Sequence, residues 1–359
     1  MRAAFIAALA LAASLIGAAA GQTPPPVDDR AILASDPPEL LSAYHLFRDA
    51  GARQANAGVT PYDLNTPLYS DGALKFRYVY MPAHAQAHYR ADGVFDFPVG
   101  AVLIKSFAFA ADMARPDQNL RLLETRLLIH RADGWAALAY VWNADQSEAR
   151  LSPIGATIPV SFIDADARPT AFDWAVPNRN QCKGCHDLAG AVVPIGPTAA
   201  NLNRRFAYAS GAEGQLAHWL AAGMIDVAPA DAPRFAAAYD PQSGTLEERA
   251  RAYLHVNCAH CHNPQGAAHT SGLDLRFEDT TPVQWGVLKR PVAAGRGSSN
   301  MDFDIYPGHP EQSILIYRMG STDPGEMMPE LARQRVDERA VALMREWIAA
   351  MPAPTAAPR

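Results

Sequence analysis

The chain has 359 residues, of which 49% are hydrophobic and 19% charged, and this composition excludes a mostly disordered protein. Its net charge of −6, without any stripe of Lys and Arg, excludes a nucleic-acid binder that works by neutralising phosphates. The length predicts two or three domains. All four cysteines lie in two Cys-x-x-Cys-His strings, which excludes a disulfide scaffold if both strings are used as written.

The N-terminus has the pattern of a secretory signal peptide. Arg2 precedes an apolar run over residues 3–16, and small residues then place a cleavage site near Ala20 or Gly21. We therefore expect residues 1–21 to be removed, which changes the net charge from −6 to −7, and the mature protein to be periplasmic or secreted. The alternative is an uncleaved membrane anchor, which would need about 20 apolar residues. No later segment has 18 uninterrupted apolar residues, so we expect no membrane span in the mature chain.

The next segments predict a leader with a short helix and then a β-rich domain. Residues 22–60 begin rich in proline, and a helix is expected over 39–50, since Asp36 can cap it and Gly51 ends it. Residues 61–176 predict an antiparallel β domain. Its clearest strands are β-branched and aromatic runs at 75–81, 99–110, 120–130 and 135–142, and the last two flank a turn at 131–134.

After residue 177 the hydrophobic pattern becomes helical. We predict a first cofactor-binding region over 177–240, a second domain over 241–351 and a disordered tail over 352–359. Helices are expected at 213–222, 246–256, 311–319 and 336–351.

The chemistry is expected in two strings, Cys182-Lys183-Gly184-Cys185-His186 (the first motif) and Cys258-Ala259-His260-Cys261-His262 (the second motif). Two thiols at this spacing can add to the two vinyl groups of one porphyrin, and the following His can bind its iron. We therefore expect two covalently attached c-type haems, with His186 and His262 as proximal ligands. The alternatives are a redox dithiol or a zinc pair. A zinc ribbon, however, places its cysteine pairs about 15–20 residues apart, and these lie 76 apart.

The C-terminal part resembles a class I cytochrome c domain. Residues 247–351 contain a helix that runs into the second motif, a Met327-Met328-Pro329 segment and a closing amphipathic helix. In that family the distal ligand is often a Met directly before Pro, which implies Met328 for the second haem. Met327 is an alternative, and a packing role for both methionines is another.

The distal ligand of the first haem is left open by the sequence. Met224 and His218 are the ligand-capable residues between the first motif and the second domain. The β domain offers Met81, Met113 and His130. An open coordination position is a further alternative.

About 300 residues are similar to a family of secreted dihaem c-type cytochromes with an N-terminal β-rich region. Besides the two motifs, the similarity is carried by the strings at 62–73, 124–127 and 142–146. It implies dihaem electron transfer. From the strand and helix patterns we expect a multidomain α+β fold, in which an N-terminal antiparallel β-rich domain precedes two mostly α-helical, cytochrome c-like haem domains.

The predicted function is electron transfer. We expect an exported dihaem cytochrome, without catalytic residues, that carries single electrons between a periplasmic dehydrogenase or other redox partner protein and an acceptor. The β domain is expected to dock that partner or to hold the haems. The alternative is a dihaem peroxidase-like enzyme with an open coordination site at the first haem.

Overall fold

The computed structural model describes residues 24–51, 53–292, 294–331 and 333–354. The predicted signal peptide and most of the predicted tail lie outside the described residues.

The α-helices are α1 Asp29–Leu33, α2 Arg179–His186, α3 Ala199–Leu202, α4 Gln215–Ala221, α5 Leu246–Asn257, α6 Ile314–Gly320 and α7 Glu338–Ala350. The strands are β1 Phe47–Asp49, β2 Gln54–Ala55, β3 Val59–Tyr62, β4 Leu74–Tyr80, β5 Val102–Ala110, β6 Leu120–Arg131, β7 Gly134–Trp142, β8 Ala149–Leu151, β9 Ala156–Ile163, β10 Pro169–Val176, β11 Asp187–Leu188, β12 Ala191–Val192, β13 Arg205–Tyr208 and β14 Gly211–Gly214.

A six-stranded antiparallel sheet, in the order β3-β4-β5-β6-β7-β8, is the largest element of the fold. The four strands predicted from β-branched and aromatic runs are confirmed as β4 to β7, and β6 and β7 form the predicted hairpin. β5 begins at Val102 rather than residue 99, because Gly100 adopts a φ of +92° in the turn that precedes the strand.

The two faces of this sheet have different partners, since successive side chains of a strand point to opposite faces. One face packs Tyr78, Ile104 and Tyr140 against Leu41 and Tyr44 of the N-terminal segment. On the other face, part of the surface packs against the β9–β10 hairpin. Another part of it packs Val79 and Leu103 against Leu216 and Trp219. A third part carries the charged residues that line the site described below.

The N-terminal helix predicted over 39–50 is wrong. The structure has a single 3-10 turn, Leu41–Tyr44, followed by β1. Tyr44 is fully buried and its hydroxyl lies 2.9 Å from that of Tyr140, while His45 ends the turn at a φ of 52°. Burial of these side chains against the sheet therefore overrides the helical pattern of the segment.

The prediction of two mostly helical, cytochrome c-like domains is also wrong. About 21% of the chain is helical, and in the described part five of seven helices have eight residues or fewer. Residues 177–240 contain two small hairpins, β11–β12 and β13–β14, between short helices. Residues 258–313 contain six glycines and five prolines, and their described part is irregular apart from 3-10 turns. Such a composition favours turns over continuous helix.

The individual helices predicted in the C-terminal part are confirmed as α4 to α7, with small changes at their ends. α5 begins at a capping box in which Thr245 and Glu248 bind each other's backbone N–H groups. α5 and α7 pack against each other around Tyr253, Met344 and Trp347. No helix in the described part of the chain is long and apolar enough to cross a membrane.

Residues 62–73, which we term the connecting segment, join the sheet to the rest of the chain. Thr66 is fully buried; its hydroxyl donates to the Ala236 carbonyl at 2.8 Å and accepts from the Ala238 N–H at 2.9 Å. The carboxylate of Asp71 accepts from the N–H groups of Gln334 and Arg335, each at 2.8 Å. Further hydrogen bonds are made by Asp63, Asn65 and Tyr69 to Gln215, Ala200, Asn203 and Asn257. The segment thus contacts the chain around both motifs.

We predict that Thr66→Val lowers the free energy of unfolding by about 1–3 kcal/mol, because it leaves a buried carbonyl and a buried N–H without partners. Urea denaturation followed by circular dichroism measures the change. Thr280→Val, at an exposed threonine, is the matched control and is expected to change stability by less than about 0.5 kcal/mol. Equal midpoints for the two variants would contradict the role assigned to Thr66.

Candidate haem-binding site

The first motif lies on α2. A capping box of Asn178 and Gln181 begins this helix, which packs against β7 of the large sheet. Cys182, Cys185 and His186 are spaced i, i+3 and i+4, so the two thiols and the imidazole share one face of the helix.

The His186 imidazole is held in one tautomer. Its Nδ1 lies 2.7 Å from the Val193 carbonyl oxygen, and since a carbonyl only accepts, Nδ1 carries the proton. Nε2 therefore presents a lone pair. Burial lowers the pKa of His186 to about 4, so the ring is neutral at pH 7. A neutral imidazole whose other nitrogen is anchored is the form that binds metals.

The second motif holds its imidazole in the same tautomer through a different hydrogen-bond partner. It follows α5 directly, and the His262 Nδ1 lies 2.9 Å from the Ser271 hydroxyl. That hydroxyl donates its only hydrogen to the Ala268 carbonyl at 2.8 Å, so His262 must be the donor to the serine oxygen. Nε2 of His262 is thus also free, and burial lowers the pKa of this ring to about 4.

The two motifs are neighbours in the fold although 76 residues separate them in sequence. Leu188 and Gly266, just after the first and second motifs, form an isolated antiparallel bridge, and the Ala189 N–H donates to the Gln265 carbonyl at 3.1 Å. A Cβ at position 266 would lie 2.3 Å from the Cys261 carbonyl oxygen, so glycine is required there. The chain segments that follow the motifs therefore hold them side by side.

Two cavities open beside the first motif. The first cleft, about 1370 Å³ including space open to solvent, is lined by Cys182, Cys185, His186 and the turn around Gly196 and Pro197. The second cleft, about 780 Å³, contains Cys185 and His186 from the first motif and His260 from the second.

The four cysteines are free thiols, and each is half-buried. Burial raises the pKa of Cys258 to about 12 and that of Cys261 to about 11, and it also raises the pKa values of Cys182 and Cys185. A redox dithiol depends on a lowered thiol pKa, so this environment does not favour that alternative.

Within the described residues, no group of three or more His, Cys, Asp or Glu is arranged to hold a metal ion. A haem does not require such a cluster, because the porphyrin nitrogens occupy the equatorial positions and one His suffices on the proximal side. Paired thiols, an adjacent neutral imidazole with free Nε2 and a cleft with apolar walls fit this cofactor at the first motif. The second motif offers the same donor set.

Met327 and Met328 lie in a loop near the second motif. Met327 is buried and Met328 half-buried, and the Met328 N–H donates to the Arg318 carbonyl at 2.9 Å. The Arg318 guanidinium contributes to the lowered pKa of His262, and Pro329, next to Met328, lines the second cleft together with His186 and His260. The loop continues to Leu331, whose Cδ1 lies 3.2 Å from an ideal Cβ at Gly184 of the first motif.

The five residues considered as distal ligands of the first haem all lie outside the lining of the first cleft. Met224 and Met81 are packed in an apolar core with Trp219, and Met113 packs against the β9–β10 hairpin. His218 stacks on Tyr208 and pairs with Glu213, and His130 stacks on Trp135.

Sequence reasoning missed His255, which lines the first cleft together with His186. The Phe277 N–H donates to Nδ1 of His255 at 2.9 Å, so the neutral ring carries its proton on Nε2. In the described chain, no protein group forms a hydrogen bond with that Nε2. His255 therefore offers a donor to the cleft rather than a lone pair for iron. Its position on α5, three residues before Cys258, is the one signal that the sequence provides.

Four cations of the sheet were also missed, namely Lys75, Arg77, Lys105 and Arg126, all of which line the first cleft. Burial and the neighbouring Arg126 and Arg77 lower the pKa of Lys105 to about 7. The alternation of side chains along β4, β5 and β6 predicts that the four cations share one face of the sheet, but it does not predict what that face contacts.

Comparisons with protein-family models, with curated proteins and with solved structures find no match to this chain.

Proposed function

We propose that the chain is an exported dihaem c-type cytochrome that transfers single electrons between a redox partner protein and an acceptor. The observation that carries the proposal is the common state of His186 and His262. Each donates from Nδ1 to a fixed acceptor and keeps Nε2 free, next to two unpaired thiols. When bound, each haem supplies an Fe(II)/Fe(III) couple.

The residues of this chain have three tasks in that function. Cys182 and Cys185, and likewise Cys258 and Cys261, hold a porphyrin through thioether bonds. The Val193 carbonyl and the Ser271 hydroxyl orient the two imidazoles. Met328 is the proposed distal ligand of the second haem, and its thioether favours the ferrous state.

We predict two haems per chain when the protein is produced with a c-type haem maturation system, measured by the pyridine haemochrome assay. Cys182→Ala/Cys185→Ala and Cys258→Ala/Cys261→Ala are each expected to retain one haem, because each pair attaches its own porphyrin. Met113→Ala, at a methionine outside both motifs, is the control and should retain two. A wild-type chain without covalent haem would contradict the proposal.

For the second haem, we predict that Met328→Ala abolishes the weak sulfur-to-iron absorption band in the far red of the ferric protein. Met327→Ala is the matched control, since it removes the neighbouring, buried thioether and should leave the band in place. The reverse outcome would assign the ligand to Met327.

His255 favours a second candidate function, a peroxidase-like activity at the first haem. His255 lines the first cleft, and its Nε2–H has no protein partner in the described chain, so it is available to donate a proton or a hydrogen bond to a small molecule. Electron transfer remains the main proposal, because it requires only the two motifs.

We predict for this second candidate that cyanide binds the ferric first haem and that His255→Leu weakens binding about 10-fold or more, through loss of the hydrogen bond. Optical titration measures the affinity. His84→Leu, at an exposed histidine, is the control and should bind like the wild type. Absence of any spectral change with cyanide or carbon monoxide would exclude the peroxidase-like function.

A further inference from the structure

Adjacent strands place four cations on the face of the sheet that lines the first cleft. Strand register sets Arg77 of β4 opposite Lys105 of β5, and Lys105 opposite Arg126 of β6. Lys75 lies two residues before Arg77 and so shares its face. We term Lys75, Arg77, Lys105 and Arg126 the cation row.

Nearby carboxylates do not balance the charge of the cation row. Asp63 pairs with Arg77 at 2.9 Å, but it also pairs with Arg204 at 3.0 Å. The fully buried Glu124 binds Arg126 through both oxygens and accepts from the Trp174 indole N–H at 2.9 Å. Asp71 and Asp337 also act on Lys75, but only from beyond ion-pair distance, and they already accept from the backbone N–H groups of Gln334, Arg335 and Ala340. All four carboxylates are therefore already engaged.

The two lysines have no anionic partner in the described part of the chain. Lys75 donates from Nζ to the Leu68 carbonyl at 2.7 Å, and no described carboxylate lies within 4 Å of either lysine. The Lys105 Nζ lies 5.2 Å from the centre of the Phe107 ring, and the Arg126 guanidinium lies 4.4 Å from the same ring. Directly opposed like charges in a sheet destabilise it, more so with little water. A bound anion would remove this cost.

The position of the row identifies the kind of anion. It lies in the same cleft as Cys182, Cys185 and His186, whose other walls include Leu103, Leu128 and Leu138. Apolar walls with lysines and a guanidinium at one side suit a flat apolar molecule that carries carboxylates.

We propose that the cation row is a carboxylate-binding site of the first cleft, so that the β sheet supplies the charged wall of the first cofactor site. The inference rests on the proposed function. The carboxylate comes either from the propionates of the haem attached to the first motif or from a free carboxylate that reaches the cleft. Both sources present the same group to Lys75 and Lys105.

The test is a potentiometric titration of the full dihaem protein, with the waves assigned from the Cys258→Ala/Cys261→Ala variant. Lys105→Met and Lys75→Met are expected to lower the midpoint potential of the first haem alone, because loss of a nearby positive charge stabilises ferric iron. Lys105→Arg keeps the charge and should keep the potential. The matched control is Arg121→Met, which removes an exposed positive charge from β6 outside the cleft and should leave the potential unchanged.

The addition of acetate separates the two sources. If propionates fill the site, acetate leaves the wild-type spectrum unchanged. If the site takes a free carboxylate, acetate changes the spectrum of the first haem in a saturable manner, and Lys105→Met lowers the affinity for acetate at least 10-fold. The proposal is overturned if both lysine variants match Arg121→Met in potential and acetate has no effect. A wild-type chain without haem at the first motif would instead contradict the proposed function. In that case calorimetric titration with acetate decides whether the row binds a carboxylate, and no binding overturns it.

Discussion

The buried polar groups of the connecting segment are the constraint on which the rest of the structure depends. Residues 62–73 leave the sheet and contact the chain segments that carry the two motifs. At these contacts the backbone N–H and C=O groups are not paired in a regular β-ladder and need other partners. Thr66, with its hydroxyl bound to Ala236 and Ala238, and Asp71, with its carboxylate bound to Gln334 and Arg335, provide those hydrogen bonds. Because an unpaired buried polar group is costly, each of these bonds fixes the position of a distant segment against the sheet. The string at 62–73 therefore has an architectural role.

This arrangement makes the sheet part of the first site rather than a separate module. α2 packs on β7, and the face of β4, β5 and β6 that looks toward α2 carries lysines and arginines where a closed core would carry leucines. Each such position costs stability unless it has a polar partner, and Arg77 and Arg126 have one in Asp63 and Glu124. The unfavourable free energy of burying these cations is thus concentrated at the cleft beside Cys182 and Cys185.

The elements predicted correctly are those that depend on residues close together in the sequence. The strands β4 to β7, the capped helix α5 and the two motifs follow from residue types within a few positions of each other. The errors have a common physical origin in contacts that are distant in sequence. The helix predicted over 39–50 yields to burial of Tyr44 against Tyr140, and the expected helical domains yield to turns rich in glycine and proline. Ser271 as the anchor of His262, and His255 as a donor in the first cleft, depend on loops whose paths the sequence pattern does not specify.

The two candidate sites are neighbours but have different surroundings, and this difference bears on the proposed electron transfer. His186 is anchored by a carbonyl beneath a sheet face with excess positive charge, whereas His262 is anchored by a hydroxyl beside Arg318 and the methionine loop. The bridge between Leu188 and Gly266 fixes the two motifs next to each other, so their relative position does not depend on a flexible linker. The axial ligand of a haem, the hydrogen bonds to that ligand and nearby charges all shift its potential. Under the proposed function, haems held by these neighbouring motifs would differ in potential and exchange electrons within one chain, so that a partner needs access to only one of them.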